Sequence, residues 1–175
     1  MRYRISAMII AVMALAGLAA APAAFADSTV LSLPASCTPG GTYDANSHVV
    51  ANARTSVGID YNGTGNPITV HNPPGDTSFI CAAAPNTYLL RNAFGHCIRM
   101  QDASNNFAVI ETSGCENGNT NYQFFADSVG GGRYQFQNVH FGRWLGVGCP
   151  PENGEAVFGV PNAAGNCLTW VIMSH

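Results

Sequence analysis

Past residue 45 the chain is written in short apolar or β-branched runs separated by Gly, Asn, Pro and Ser: "HVVANA", "GIDY", "ITVH", "YLLRN", "CIRM", "FAVIET", "RYQFQN", "RWLGV", "EAVFGV" and "LTWVIM". No long segment repeats apolar positions at helical spacing, and several runs alternate apolar with polar residues, the period of a strand with one face buried. Closely spaced short strands with turn chemistry between them predict an all-β sandwich or barrel.

The runs recur as a set. "SHVVANARTSVGIDY", "NTYLLRNAFGHCIRM" and "GRYQFQNVHFGRWLGV" each read as a strand, a tight turn and a second strand. A third strand follows each of them, "PITVH", "FAVIET" and "EAVFGV", and then a late aromatic: Phe79, Phe125 and Trp170, spaced 46 and 45 residues apart. A unit of about 45 residues cannot bury its apolar face alone, so the three copies are expected to share one core. The repeats are set at about 46–82, 86–128 and 132–173. Val50, Ile59, Ile68, Phe79, Leu89, Ile98, Ile110, Phe125, Phe136, Leu145, Val157 and Trp170 are expected to face inward. Trp144 and Phe94 are assigned to neither core nor surface.

The N-terminus is different. Arg2 and Arg4 precede an uncharged apolar stretch from Ile5 to Ala20, and Ala24-Phe25-Ala26 offers small residues where a signal peptidase reads. Residues 1–26 are expected to be a secretory signal, with 27–175 one mature, extracellular domain. Its loss leaves five arginines, no lysine and ten carboxylates, a net charge of about −5. Such a surface lacks the clustered cations that nucleic acid or an anionic membrane requires, and its abundant Asn, Ser, Thr and Gly suit an uncharged polar ligand. Residues 27–45 fall outside the repeats and are expected to supply a closing strand of a barrel.

All six cysteines lie in the mature part, an even number in an exported chain. Disulfides are expected rather than zinc, because the most closely spaced cysteines, Cys81 and Cys97, are 16 residues apart and no C-x2-C pair exists. Six cysteines allow about fifteen pairings. Order along the chain favours Cys37–Cys81, Cys97–Cys115 and Cys149–Cys167.

Taken together, "HCIRM", "AVIETSGC" and "NYQFF" in the second unit resemble the C-L-D-V, V-Q-L-W-x-C and N-x-Q-x-W elements of the ricin-B-type β-trefoil lectins. The third unit is similar through "WLGV" and "LTW", and the first through "GIDY", "ITVH" and "DTSF". The resemblance spans residues 46–173 and implies a β-trefoil, stapled by disulfides, with Cys97–Cys115 where the family places a bridge within a repeat. It also implies a shallow sugar site: a carboxylate accepting hydrogen bonds from vicinal hydroxyls, a flat ring against the pyranose, and amides nearby. On that pattern Asp60 is the carboxylate of the first repeat and His71 its platform. Asp76 stands where the family has Asn, and Thr69 and Thr77 stand where it has Gln. The second and third repeats carry Arg99 and Gly146 at the carboxylate position. The competing reading of Asp60 is a cap on the "DYNGTGN" turn, a role Asp fills well. Tyr61 and Asn72 are neighbours of interest, and Arg99 and Glu111 are expected to pair.

The chain contains no G-x-S-x-G, H-E-x-x-H or P-loop, and no two acids are placed across a cleft by any motif. The expectation is a non-catalytic glycan-binding protein without cofactor or metal. The alternative is a trefoil that binds a protein partner, as an inhibitor or a subunit of a secreted assembly.

Overall fold

The computed structural model describes residues 30–33, 48–55, 57–103, 106–162 and 166–174. The signal segment and Cys37 lie outside the described residues. Among the described residues twelve strands run in chain order: β1 (His48–Asn52), β2 (Gly58–Asp60), β3 (Thr69–His71), β4 (Asp76–Cys81), β5 (Thr87–Arg91), β6 (Cys97–Ala103), β7 (Asn106–Thr112), β8 (Phe124–Gly130), β9 (Arg133–Asn138), β10 (Trp144–Gly146), β11 (Phe158–Val160) and β12 (Trp170–Ser174).

Every fourth pairing repeats. The first and last strands of each four-strand unit close a six-stranded antiparallel barrel, β1-β4-β5-β8-β9-β12 and back to β1. The inner strands form three hairpins, β2–β3, β6–β7 and β10–β11, which cap one end. The hairpins meet one another in a ring. Ile68 N–H donates to Val109 O at 2.9 Å and Val157 N–H donates to Ile68 O at 2.8 Å, while β7 pairs with β11. Ile68, Val109 and Val157 occupy equivalent positions and are all but fully buried, so they mark the pseudo-threefold axis. This is the all-β trefoil the repeats imply. It leaves the cap without a free central edge, which an isolated hairpin triplet would expose.

A second threefold signature lies in the turns. Asn52 and Asn138 end the first strand of their units, Asn92 immediately follows it in the second, and all three are buried. Each side-chain oxygen accepts backbone N–H groups of its own turn: Arg54 for Asn52, Phe94 and His96 for Asn92, His140 and Phe141 for Asn138. Asn is suited to this because its short amide satisfies turn donors that the hairpin leaves unpaired.

The core contains eleven of the twelve expected residues; Phe125 is the exception, 38% exposed. Register explains it. Trp170 pairs with Asn52 and Phe124 with Asn138, so Phe124, not Phe125, is the counterpart of Trp170 and is fully buried. In the first repeat the same position, opposite His48 in the pairing that matches Trp170–Tyr134 and Phe124–Tyr88, is Thr77. Asp76 is therefore at the position of Gln123 and Thr169, not where the family has Asn. Trp144 is half-buried and Phe94 is 85% exposed.

Two disulfides are described, Cys97–Cys115 and Cys149–Cys167, with Cα atoms 5.2 and 5.5 Å apart. Cys81 is also disulfide-bonded. The barrel closes through β1 and β12, and Val30 bridges Met173 on β12; of the 27–45 segment expected to supply a closing strand, all but 30–33 lies outside the described residues. Arg99 does not pair with Glu111. Ile98 lies opposite Glu111 and Arg99 opposite Ile110, so the two side chains leave the hairpin on opposite faces. Arg99 donates to Gln101 Oε1 at 2.9 Å and lies over the Tyr122 ring.

Candidate functional site

The β2–β3 hairpin carries the candidate site. Its register sets Asp60 opposite Thr69 and Gly58 opposite His71, and alternation along each strand puts all four on one face. Asp60, Thr69 and His71 are half-buried. Among the described residues no hydrogen bond reaches the Asp60 carboxylate, so the turn-capping role is not what holds it. The turn after β2 is organised instead by Asn62, whose amide donates to Pro67 O and Thr69 Oγ1, both at 2.8 Å.

Gly75 forms the floor. Its N–H donates to Ile59 O at 2.9 Å, and a Cβ placed on it would lie 2.7 Å from Asp60 Oδ1. The carboxylate thus rests directly on the backbone ahead of β4, an approach only glycine permits. Tyr61 lies behind. Its hydroxyl is 3.2 Å from Thr77 Oγ1. Burial holds its phenol above the ordinary value, with the Glu111 and Asp60 carboxylates adding to the effect and the Thr77 bond opposing it.

Of the predicted set, Asp60, Thr69 and His71 come together on the outer face. Asp76 is half-buried at the start of β4, next to Gly75. Thr77 does not join them: it is fully buried, and its hydroxyl meets Tyr61 inside the barrel, where no ligand reaches.

The third repeat supplies a wall that nothing in the local sequence signals. Gly154 N–H donates to Val70 O at 2.7 Å, Val70 N–H donates to Glu155 O at 2.9 Å, and Asn153 Oδ1 accepts from Asn72 N–H at 2.8 Å. His71 Nε2 consequently lies close to Gly154. The loop carries an open concavity of about 510 Å³ lined by Cys149, Pro150, Glu152, Asn153, Gly154 and Glu155. Asn153 is 81 positions from Asn72, and only the threefold assembly makes them neighbours.

The equivalent places in the other repeats differ in kind. Arg99 is spent on Gln101 and Tyr122. Over Gly146 the Leu168 side chain fills the space a Cβ would take, with Val160 beside it. Neither leaves an acceptor facing solvent. No group of three or more His, Cys, Asp or Glu among the described residues is placed to hold a metal ion. No helix among them is long and apolar enough to cross a membrane.

No family model matches the chain, and no curated protein does. Solved structures do. A designed threefold-symmetric protein, ThreeFoil, is similar with a TM-score of 0.65 at 16% identity, over 74% of this chain and 99% of that one. An exo-β-1,3-galactanase from Clostridium thermocellum is similar with a TM-score of 0.64 at 17% identity, over 75% of this chain and 31% of that one. The lectin of Polyporus squamosus, bound to a human-type influenza-binding epitope, gives 0.56 at 15% identity, over 73% of this chain and 48% of that one. The likeness is one of fold. The chain spans about a third of the galactanase it matches, and half of the lectin.

Proposed function

We infer that this is a secreted, non-catalytic carbohydrate-binding protein with one sugar site on its first repeat, of the kind found in ricin-B-type lectins. The observation that carries the reading is the Asp60 carboxylate. Among the described residues it has no hydrogen-bond donor, and it stands on a half-buried face beside Thr69 and His71, whereas the other two repeats present a stacked arginine and a leucine-covered glycine. A carboxylate in that position accepts from two vicinal hydroxyls, and the His71 ring offers a flat surface to the sugar. Thr69 and Asp76 complete the polar rim, with Asn153 across it. The occurrence of the same fold in a lectin and in a galactan-cleaving enzyme supports the class of ligand. Residues 1–26 and the disulfides support export.

The test is a glycan array with wild type and Asp60→Ala. Binding by wild type that disappears in the variant, with both proteins melting alike, supports the site. Absence of binding by either, together with a protein captured from the surrounding medium, supports the alternative of a trefoil that recognises a protein partner.

A further inference from the structure

We propose that the cleft between the first-repeat turn and the β8–β9 hairpin binds the oxyanion of an acidic sugar, a carboxylate or a sulfate. It has a volume of about 360 Å³ and is lined by Ala53, Arg54, Val129, Arg133, Gln135 and Thr169. None of Asp60, Thr69, His71 and Asp76 lines it.

The charge distribution carries the inference. The mature chain has five arginines and no lysine against ten carboxylates. Three of the five are half-buried: Arg91, Arg99 over Tyr122, and Arg143 4.4 Å from the centre of the Phe107 ring. Arg54 and Arg133 are the two exposed ones, and both open into this cleft. Among the described residues no carboxylate lines it. Asp127, opposite Gln135 across the hairpin, lines the neighbouring cavity instead. A cleft walled by one sign of charge focuses the field on its interior, here against a net negative protein.

The arginines are also held. Arg54 Nη1 donates to Cys149 Sγ at 3.1 Å, and Arg133 Nε donates to Gly130 O at 3.3 Å. Each bond uses one of five donors and leaves the rest of a planar fork, the geometry that matches a carboxylate or sulfate. Between them Gln135 Nε2 donates to Thr169 Oγ1 at 3.4 Å, and Thr169 O accepts from Ala53 N–H at 2.8 Å, which fixes the floor. Val129, 45% exposed, supplies an apolar wall for the face of a ring. The oxyanion is read from the arginines alone; that a sugar carries it rests on the carbohydrate reading above.

The experiment is an NMR titration of the isotope-labelled mature protein with sodium glucuronate, methyl glucoside and sodium sulfate. Saturable shifts at Arg54, Arg133, Gln135 and Thr169 are expected with glucuronate and not with methyl glucoside. The Arg54→Gln/Arg133→Gln variant is expected to bind about tenfold more weakly, the loss of roughly one charge-assisted contact. Arg54→Lys/Arg133→Lys, which keeps the charge, reports whether the hairpin still folds and is expected to fall between. Asp60→Ala leaves this titration unchanged, so failure here and failure of the first-repeat site are read on different variants. Identical titration of wild type and the glutamine variant, or no shift at these residues, overturns the proposal. Saturation by sulfate with no response to glucuronate overturns its sugar component.

Discussion

His96 Nδ1 and Glu111 Oε1 lie 2.6 Å apart, and the same Glu111, on the second repeat, holds the loop that follows Asp60 in the first. Glu111 is 2% exposed and fully engaged. Oε1 also accepts from the Asn92 amide at 3.1 Å, Oε2 accepts from Gly63 N–H, and its backbone exchanges bonds with Gly65 and Asn66. One buried carboxylate thus ties the β5–β6 turn to the 62–66 loop.

Glu111→Ala is therefore expected to destabilise the fold by about 3 kcal/mol, since the buried Asn92 amide and the more exposed His96 ring and Gly63 N–H all lose their acceptor. His96→Ala, which removes one half-exposed partner, is expected to cost about 1 kcal/mol. Urea unfolding of the two variants checks the order. Glycan affinity is expected to fall in Glu111→Ala among molecules that remain folded, because the loop beside Asp60 loses its anchor. Equal stability of both variants and wild type would show that the contact contributes nothing.

The adjacent phenylalanines make a sharper comparison. Phe124→Ala removes a fully buried ring and is expected to cost about 4 kcal/mol, whereas Phe125→Ala removes one 38% exposed and is expected to cost about 1 kcal/mol. Thermal melts of the pair measure it. The same pair shows where the sequence could and could not be read. Alternation and turn residues were enough to expose short strands in an all-β chain and a repeat of about 45 residues, because those signals are local, and the resemblance of the repeats to ricin-B-type lectins then implied the trefoil. Two phenylalanines in succession look alike in composition. Only the pairing of Phe124 with Asn138 decides which one faces the core, and a slip of one residue reverses every side chain on the strand. Register likewise turns Thr77 inward on β4 and puts Arg99 and Glu111 on opposite faces of β6–β7. Asp60, Thr69 and His71 were legible because they share one short hairpin. Gly75 and Asn153 were not, since a close backbone approach and a contact between distant repeats leave no local trace.

Asn52 and Asn138 test the threefold relation itself. Asn52 Nδ2 donates to Cys167 O at 3.2 Å, and Asn138 Nδ2 donates to Asn121 O at 2.9 Å, equivalent carbonyls two residues before Thr169 and Gln123. Each side chain also accepts within its own turn. Replacement of either by Ala is expected to cost about 2 kcal/mol, the penalty for buried turn donors left without an acceptor. Chemical denaturation of the single variants should give values within about 1 kcal/mol of each other, as expected for equivalent environments. A large loss at one site and none at the other would show that the symmetry is geometric and not energetic.

Gly75 separates binding from stability at the candidate sugar site. A methyl group there meets Asp60 Oδ1 at 2.7 Å, the mobile end of a half-buried side chain, although backbone atoms of Asp60 and Ile59 also lie at 3.5 Å. Gly75→Ala is expected to push the carboxylate off its floor while changing stability by less than about 1 kcal/mol. Glycan binding should drop as far as in Asp60→Ala with the melting temperature nearly kept. Retained affinity would mean that the sugar does not use the carboxylate as placed.

Tyr61 gives the site an alkaline limit. Its phenol ionises above the ordinary value of 10.0, chiefly because burial disfavours the phenolate, with the Glu111 and Asp60 carboxylates adding repulsion. In the unfolded chain the same group titrates at its ordinary value. From about pH 10 upward the unfolded state therefore binds fewer protons than the native one, and stability falls with rising pH; below that window both states hold the proton and stability does not depend on it. Tyr61→Phe keeps the ring, removes the titration and loses the bond to Thr77 Oγ1. It is expected to start less stable at neutral pH and to lose less between pH 10 and the alkaline end of the range, so the two melting curves converge. Parallel curves would show that the phenol reaches solvent, and with it that the wall behind Asp60 is open.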